Sequence, residues 1–318
     1  MIHRSPALLY VLLGIATAAA FAGSLLTGPS GLGAGAILGG LFSGGDEAAA
    51  VIAREVRLPR ALLGLLIGAT LGACGAALQG YLRNPLAEPG LIGISASAAL
   101  GAVVALYFGF AAVLPLALPL GGLVGAALCV LLILALAGRA AGTMTLILAG
   151  IAVSSLAGAL TALALSLAPS PYAALEIVFW MLGALTDRSL THVWLAGPFL
   201  LVGLTLVLSV GRGLDALTLG EDAAESLGIR LATLRWRIVL GTALGIGAAT
   251  AVAGIIGFVG LVVPHVLRPL VGHRPAPLLF ASALGGALLT LVADIAVRVV
   301  LPGQEMKLGV LTALIGAP

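Results

Sequence analysis

The chain has 318 residues, of which 61% are hydrophobic and 8% are charged, and its formal net charge is +3. About a quarter of the residues in an ordinary soluble domain are charged, so this composition excludes a soluble globular protein. The two cysteines, Cys74 and Cys129, lie inside apolar runs without a CxxC spacing, which argues against a redox or metal role. We predict an all-α polytopic membrane protein, because the apolar runs are continuous and lack the alternation of a barrel strand.

Apolar runs separated by proline, glycine and charge predict the membrane helices in chain order. A helix crosses the hydrocarbon core with about 20 apolar residues. Such runs occur near 8–26, 61–80, 91–109, 114–137, 144–167, 191–210, 235–253, 255–270, 276–297 and from 308 onward. They predict about ten transmembrane helices in a single domain over residues 1–318. The first run also resembles a signal peptide, but it is longer than an apolar signal core and we expect it to remain as a span.

The distribution of arginine and lysine indicates the orientation of the chain. With a cytoplasmic N-terminus, nine of these cations fall in inside loops and six in outside loops. Because cytoplasmic loops are enriched in positive charge, we predict that the N-terminus is cytoplasmic.

A charged stretch over residues 211–237 interrupts the apolar runs and cannot be a span. Its middle, residues 219–228, predicts a short amphipathic helix. Glu221 and Asp222 fall in the first turn, where the helix dipole favours acids, and Gly228 ends the helix. One face carries small apolar side chains: Ala223, Ala224 and Leu227. Such a patch fits a groove on a partner and equally fits a solvated loop helix, so the spacing leaves both interpretations open.

Two further features concern the connections between spans. The segment Arg83–Pro89 contains two prolines and the capping residue Asn84, which predicts a rigid turn suited either to closing a pore or simply to joining two helices. Glycines recur at four-residue spacing, and we assign these to close helix packing: Gly64, Gly68, Gly72, Gly241 and Gly245. Gly254, Gly257 and Gly260 are the exception, since they lead into Pro264-His265.

Six short motifs stand in the order and spacing of one known family. They are Arg57-Leu58-Pro59-Arg60; Gln79 with the Arg83–Pro89 turn; Leu219-Gly220-Glu221 with Leu227-Gly228; Gly257-Phe258-Val259-Gly260-Leu261 with Pro264, His265 and Arg268; Ala293-Asp294 with Arg298; and Gly316-Ala317-Pro318. With them the chain resembles, over nearly its whole length, the FecCD-type permeases, the membrane subunits of type II ABC importers for iron–siderophore complexes, haem and cobalamin.

The resemblance implies the assembly. We expect the type II ABC importer permease fold, a homodimer with ten helices per subunit and a path along the two-fold axis. Two cytoplasmic ABC ATPase subunits would bind ATP and magnesium, and a periplasmic binding protein would deliver the metal chelate. The chain itself would contact membrane lipid in the bacterial inner membrane, with no cofactor of its own and no nucleic-acid partner.

The resemblance also assigns roles to residues. ATPase-coupling helices fall at about 213–229, with these contact residues: Leu219, Gly220, Glu221, Ala224, Leu227 and Gly228. The arginines that receive glutamates of the binding protein are Arg57, Arg60 and Arg298. Asn84 and Pro85 lie at the cytoplasmic gate.

The chain departs from the family in two places. Lys307 stands where the family usually has proline, which puts the start of the tenth helix in doubt. The chain also stops at Pro318, where relatives continue for about a dozen apolar residues, so we expect the last helix to be truncated.

The positions of the charged residues distinguish a permease from an ATP-hydrolysing enzyme and from an ion-coupled transporter. A P-loop needs a lysine after glycine, but the one lysine, Lys307, follows Met306, so we expect no catalytic residue and no hydrolysis in this chain. An ion-coupled secondary transporter would need ionisable residues in mid-span, whereas Asp294 and Glu176 fall near predicted ends. A lone histidine such as His192 is more often a satisfied polar residue than a haem ligand, and we expect no metal site.

We therefore predict a permease that moves an iron chelate, ferric siderophore or haem, from periplasm to cytoplasm by alternating access. The alternative is cobalamin import by the same machinery. An ion-coupled carrier and an orphan channel rank below both.

Overall fold

The computed structural model describes residues 6–28, 30–42, 47–137, 143–300 and 306–317, and within these ranges the regular structure is helical. The first half of the chain forms α1 (Pro6–Leu26), α2 (Ala34–Phe42), α3 (Glu47–Val51), α4 (Leu58–Tyr81), α5 (Ile94–Tyr107), α6 (Phe110–Val113), α7 (Ala117–Ala137) and α8 (Thr143–Ser166). The second half forms α9 (Pro171–Met181), α10 (Leu190–Leu208), α11 (Gly211–Leu217), α12 (Glu221–Ser226), α13 (Leu231–Ala253), α14 (Val259–Leu267), α15 (Pro275–Val300) and α16 (Leu308–Gly316). A π-helical stretch, Ile52–Arg57, leads into α4, and 3-10 turns at Pro89–Ile92 and Arg268–Val271 precede α5 and follow α14.

Seven helices in the described ranges are long and apolar enough to cross a membrane, and three shorter apolar helices accompany them: Ile94–Tyr107, Pro171–Met181 and Val259–Val271. The predicted polytopic helical fold is confirmed, with two differences in detail. The helix α5 begins later than the apolar run that predicts it, and α9 lies where the sequence analysis predicts a polar interruption. The signal for α9 was the pair Ser170-Pro171, because Ser170 caps the Ala173 amide and proline occupies the first helical position.

The helix α4 lies at the centre and packs against α15 through the predicted glycine stripe. A Cβ on Gly68 would collide with the Gly286 carbonyl oxygen, and one on Gly72 would collide with that of Ser282. The packing assigned to these glycines is confirmed: their missing side chains allow two helix backbones to touch, as small residues do between membrane helices.

The carboxyl ends of α9 and α13 and the amino end of α16 meet in the interior of the bundle. Ala184 N donates to Ala253 O (2.7 Å) and Gly309 N donates to Gly183 O (3.1 Å), so the ends of α9 and α13 and the start of α16 satisfy one another. Gly183 and Gly254 both have positive φ, 70° and 72°, and each lies against the backbone of the other's segment, where a side chain would collide. Non-helical backbone at membrane depth is tolerated here because protein buries it.

The antiparallel pair α4 and α15 defines two ends of the bundle. At one end, which we call the Arg60 end, Arg60 contacts Asp294. At the opposite end, which we call the Arg83 end, Gly80 lies against Pro275. The turn after α4 and the helices α11 and α12 therefore lie at the Arg83 end. Leu185 lies beside Gly64, which places the segment after α9 toward the Arg60 end.

The last helix begins in an ordinary way despite the unusual lysine. Lys307 has φ −81° and ψ 138°, close to the polyproline region that a proline would occupy, and its carbonyl accepts the first amide bonds of α16. The doubt about this helix start is thereby removed. Pro318 of the last motif and the N-terminal residues 1–5 lie outside the described residues.

Candidate functional site

The coupling segment, residues 211–228, contains the helices α11 and α12. As predicted, Glu221 and Asp222 occupy the first turn of α12. Gly220 and Gly228 flank the helix with φ of 112° and 82°, a region that glycine reaches without strain. The predicted short helix with a glycine stop is confirmed.

The predicted apolar patch on this helix needs correction. Ala224 is fully buried within the chain, because α12 turns this residue toward its own bundle. The exposed apolar side chains of the segment are instead Leu219 (69% exposed) and Leu227 (63% exposed), one before and one after α12. A partner that docks here meets these two leucines and the acids of the first turn.

The coupling segment is fastened to the bundle by polar bonds. The Asp215 carboxylate accepts a hydrogen bond from Ala276 N (2.9 Å) and pairs with Arg274 (2.9 Å), which ties α11 to the start of α15. Arg83 donates from Nη2 to the Leu217 carbonyl (2.8 Å) and so ties the end of α11 to the turn after α4. A force on the segment is therefore transmitted to both places.

The turn segment, Arg83–Pro89, is rigid as predicted. Asn84 Oδ1 accepts from Leu86 N (3.0 Å), and the Asn84 carbonyl accepts from Ala87 N (3.1 Å), so one asparagine closes the turn twice. Asn84 and Pro85 are exposed. Their side chains are therefore accessible to a neighbouring molecule at the Arg83 end.

The turn segment and the end of α4 hold the short helix α14. Glu88 Oε1 accepts from Phe258 N (2.9 Å), immediately before this helix. Gln79 Nε2 donates to the carbonyls of Gly260 (3.4 Å) and Leu261 (3.3 Å), and Arg268 donates to Gln79 Oε1. The sequence analysis missed Glu88, for which the turn pattern gave no role. No local pattern in the sequence could have found this contact, because Glu88 and Phe258 lie 170 positions apart.

The arginine cluster (Arg57, Arg60 and Arg298) gathers at the Arg60 end around Asp294. Arg60 holds this carboxylate with two nitrogens, Nε (2.9 Å) and Nη2 (2.8 Å), and Arg298 Nη2 lies 2.9 Å from its other oxygen. Asp294 is 2% exposed, Arg298 6% and Arg60 15%. Among the described contacts of the cluster, one carboxylate thus serves two arginines.

Two members of the cluster also cap the end of α1. Arg57, which is buried, donates to the carbonyls of Leu25 (2.9 Å) and Leu26 (2.8 Å) and to Ser30 Oγ (2.7 Å). Arg298 donates to the carbonyls of Ser24 and Thr27 and to Ser24 Oγ, at 2.7 to 3.0 Å. Cations suit the carboxyl end of a helix, and here they fix α1 to α4 and α15. The structure brings the three arginines together, and Arg60 is the one most open to a partner.

Two sizeable cavities open at the surface of the described chain. One, of about 620 Å³ toward the Arg60 end, has mixed charge on its walls: Glu176, Asp187, Arg188 and Lys307, with Phe179 and Trp180. Burial lowers the pKa of Arg188, and the Lys307 ammonium lies 5.8 Å from the centre of the Phe179 ring. The other, of about 570 Å³, is apolar and runs between α5, α7 and α8.

The described residues hold no group of three or more histidine, cysteine or acidic side chains suited to a metal ion. His192 is a local capping residue, since its Nδ1 accepts from Ser189 N (3.3 Å) and lies 3.0 Å from Ser189 Oγ. This contact accounts for the histidine within α10.

Comparison with known proteins gives a consistent result. The family model described as the FecCD transport family matches residues 16–318. The vitamin B12 import system permease protein BtuC of Vibrio cholerae is 39% identical over 264 residues, covering 83% of this chain and 80% of BtuC. The Fe(3+) dicitrate transport system permease protein FecD of Escherichia coli is 39% identical over 275 residues, covering 83% and 82%. The hemin transport system permease protein HmuU of Yersinia pestis is 38% identical over 267 residues, covering 83% and 80%.

A solved structure is similar over almost the whole chain. It is described as an inward-facing conformation of a transporter assigned to the metal-chelate ABC type. Its TM-score is 0.86 at 30% sequence identity, covering 98% of this chain and 97% of that one.

Proposed function

The chain belongs to the FecCD transport family, and from that membership we propose that it is the permease subunit of an importer for an iron chelate, a ferric siderophore or haem. The import runs from periplasm to cytoplasm by alternating access. Relatives named for ferric dicitrate and hemin transport support this substrate class. The family is one of transport permeases, and its membership favours this function over an ion-coupled carrier or an orphan channel.

The observation that carries the proposal is the arrangement of polar anchors at opposite ends of one bundle. At the Arg83 end, a short acidic helix presents Leu219 and Leu227 and is tied to α4 and α15. At the Arg60 end, Arg60 and Arg298 hold a single aspartate and Arg57 binds the nearby end of α1, which leaves an excess of positive charge. An importer needs such a pair of surfaces, one for a motor subunit and one for an acidic delivery protein.

The proposed assembly has partners on both faces. Two ABC ATPase subunits dock on the coupling segment at Leu219, Gly220, Glu221, Leu227 and Gly228, and they supply ATP and magnesium. A periplasmic binding protein docks glutamates on the arginine cluster, where a guanidinium fork suits a carboxylate. A second copy of the chain completes the path, with Asn84 and Pro85 at the inner gate and the N-terminus in the cytoplasm.

Cobalamin is the second candidate substrate, favoured by the 39% identity to BtuC. The same machinery and the same two docking surfaces serve either cargo.

The test is reconstituted uptake by the complete complex. Permease, ATPase and binding protein are purified together and placed in liposomes, and uptake of ferric siderophore, haem and cobalamin is measured with the visible spectrum of each cargo. We expect ATP-dependent uptake of one iron chelate, and none with an ATPase that lacks its P-loop lysine. Uptake driven by an ion gradient without ATP would overturn the proposal.

A further inference from the structure

The turn segment bridges two moving parts of the proposed importer. Its first residue, Arg83, donates to the Leu217 carbonyl in the coupling segment, and its next-to-last residue, Glu88, accepts from the amide before α14. These bonds join residues 134 and 170 positions apart in the chain. The Asn84 side chain and carbonyl keep the intervening turn rigid. A short path of hydrogen-bonded residues therefore joins the coupling segment to the start of α14.

The contact at Glu88 holds an unusual backbone conformation. Phe258 has φ 66° and ψ −23°, the left-handed region that a residue with a bulky side chain rarely adopts. The Glu88 carboxylate engages the amide of this residue, and the neighbouring Pro89 ring fits against Gly260, where a Cβ would lie only 2.8 Å from Pro89 Cγ. The start of α14 is therefore shaped by the turn segment and not by its own sequence alone.

The amino end of α14 lies deep in the bundle. Gly260 packs against the backbone of Leu71 and Gly75 in α4, which lie roughly 10–15 Å along that helix from its end at Tyr81. The amino end of such a half-helix carries partial positive charge and favours an acidic group nearby. Glu88 supplies this group from within the chain.

The same helix start touches the last helix. A Cβ on Gly316 of α16 would collide with the Phe258 side chain, so α16 packs directly on the residue that Glu88 holds. The other end of α14 is anchored separately, through Arg268 and Gln79 to α4. Loss of the Glu88 contact would thus release the Phe258 amide and loosen its packing on α16, while Gln79 and Arg268 still anchor α14 to α4.

We propose that Arg83 and Glu88 are positioning residues for transport, which make the turn segment the mechanical link between the coupling segment and the start of α14. Arg83 couples the turn to the motor side, and Glu88 couples it to the half-helix and, through Phe258, to α16. This inference rests on the proposed function, because the coupling segment is taken as the place where the ATPase acts.

The test uses three variants and a control in the complete complex. Glu88→Ala removes the acceptor, Glu88→Gln keeps an acceptor oxygen at nearly the same position without the charge, and Arg83→Ala removes the bond to Leu217. Glu55→Ala is the control, since Glu55 is an exposed carboxylate toward the Arg60 end. Three quantities are measured: cargo transported per ATP hydrolysed, the midpoint of thermal unfolding, and hydrogen exchange of a peptide covering residues 254–262.

Glu88→Ala and Arg83→Ala should each lower cargo transported per ATP by about tenfold, the scale of one lost bond to a charged group. ATP hydrolysis and the unfolding midpoint should stay close to wild type. Glu88→Ala alone should speed exchange at the Phe258 amide, and Glu88→Gln should restore more than half of both the transport ratio and the protection. Glu55→Ala should match wild type throughout.

Two results would overturn the inference. One is wild-type transport per ATP in Glu88→Ala. The other is loss of transport that follows a lowered unfolding midpoint equally in Glu88→Ala and Glu88→Gln, since Glu88 would then serve folding only. Hydrogen exchange is read without cargo or ATP. Absence of uptake by the wild-type complex would contradict the proposed function. The hydrogen-exchange result would still test whether Glu88 holds the start of α14.

Discussion

At the scale of single residues, Asp294 is the centre of the Arg60 end. Its carboxylate is almost fully buried and holds Arg60 and Arg298, which belong to different helices. Removing one partner of a buried ion pair leaves an uncompensated charge, at a cost of about 3 kcal/mol. Asp294→Asn should therefore lower the free energy of unfolding by about that amount. Adding Arg60→Gln should recover part of the loss, and thermal unfolding in detergent measures both. Additive losses in the double variant would mean that the two side chains are not coupled.

The same double variant separates docking from folding. The cluster contains three arginines and one aspartate, so net positive charge is left for an acidic partner, and Arg60 is the arginine most open to one. Reversing all three charges would place buried acids against helix carbonyls, whereas Arg60→Gln with Asp294→Asn keeps the internal balance. We expect this pair to slow association of the binding protein, because it removes the most exposed guanidinium fork available to a carboxylate while it leaves the net charge of the cluster unchanged. Association is followed by surface plasmon resonance over a range of salt concentrations. An unchanged association rate at low salt would show that the binding protein does not dock on Arg60.

At the scale of elements, the exposed apolar side chain at the end of α12 is Leu227 and not Ala224. Leu227→Asp should weaken binding of the ATPase and uncouple its hydrolysis from uptake, because the change puts a charge into an apolar contact. The thermal stability of the permease should stay within about 0.5 kcal/mol of wild type, as for most surface substitutions. Ala224→Trp, in contrast, overfills a buried site and should destabilise the segment. Co-purification of the ATPase and uptake per ATP measure the difference. Normal coupling in Leu227→Asp would exclude this face as the contact.

The elements differ in how far the sequence alone could predict them. The long spans and the turn at Asn84 follow from apolar length and local capping, which are properties of neighbouring residues. The helix α9 was missed because an apolar helix of 11 residues is shorter than the window that identifies a span. Ala224 was assigned to the wrong face because amphipathic spacing shows which residues share a face but not which neighbour covers it. The bonds of Glu88 and Asp294 join residues 170 and 234 positions apart, and no local pattern predicts such pairs.

At the scale of the whole molecule, the two larger cavities of the described chain offer few polar groups that could bind cargo. The apolar cavity between α5, α7 and α8 is lined almost wholly by carbon, and the cavity at Lys307 sets two acids, Glu176 and Asp187, against two cations. Walls of this kind give a bulky chelate few convergent polar groups that could hold it in one position.

Affinity for the cargo should therefore reside in the binding protein. We expect the isolated permease to bind the chelate with a dissociation constant of about 1 mM, or only about −4 kcal/mol. Equilibrium dialysis in detergent measures this value, with the binding protein alone as the positive control. Submicromolar binding to the permease would contradict the expectation. The variants Glu176→Gln and Lys307→Met would then test the mixed-charge cavity. If the chelate binds in this cavity, at least one of the two variants should bind it more weakly.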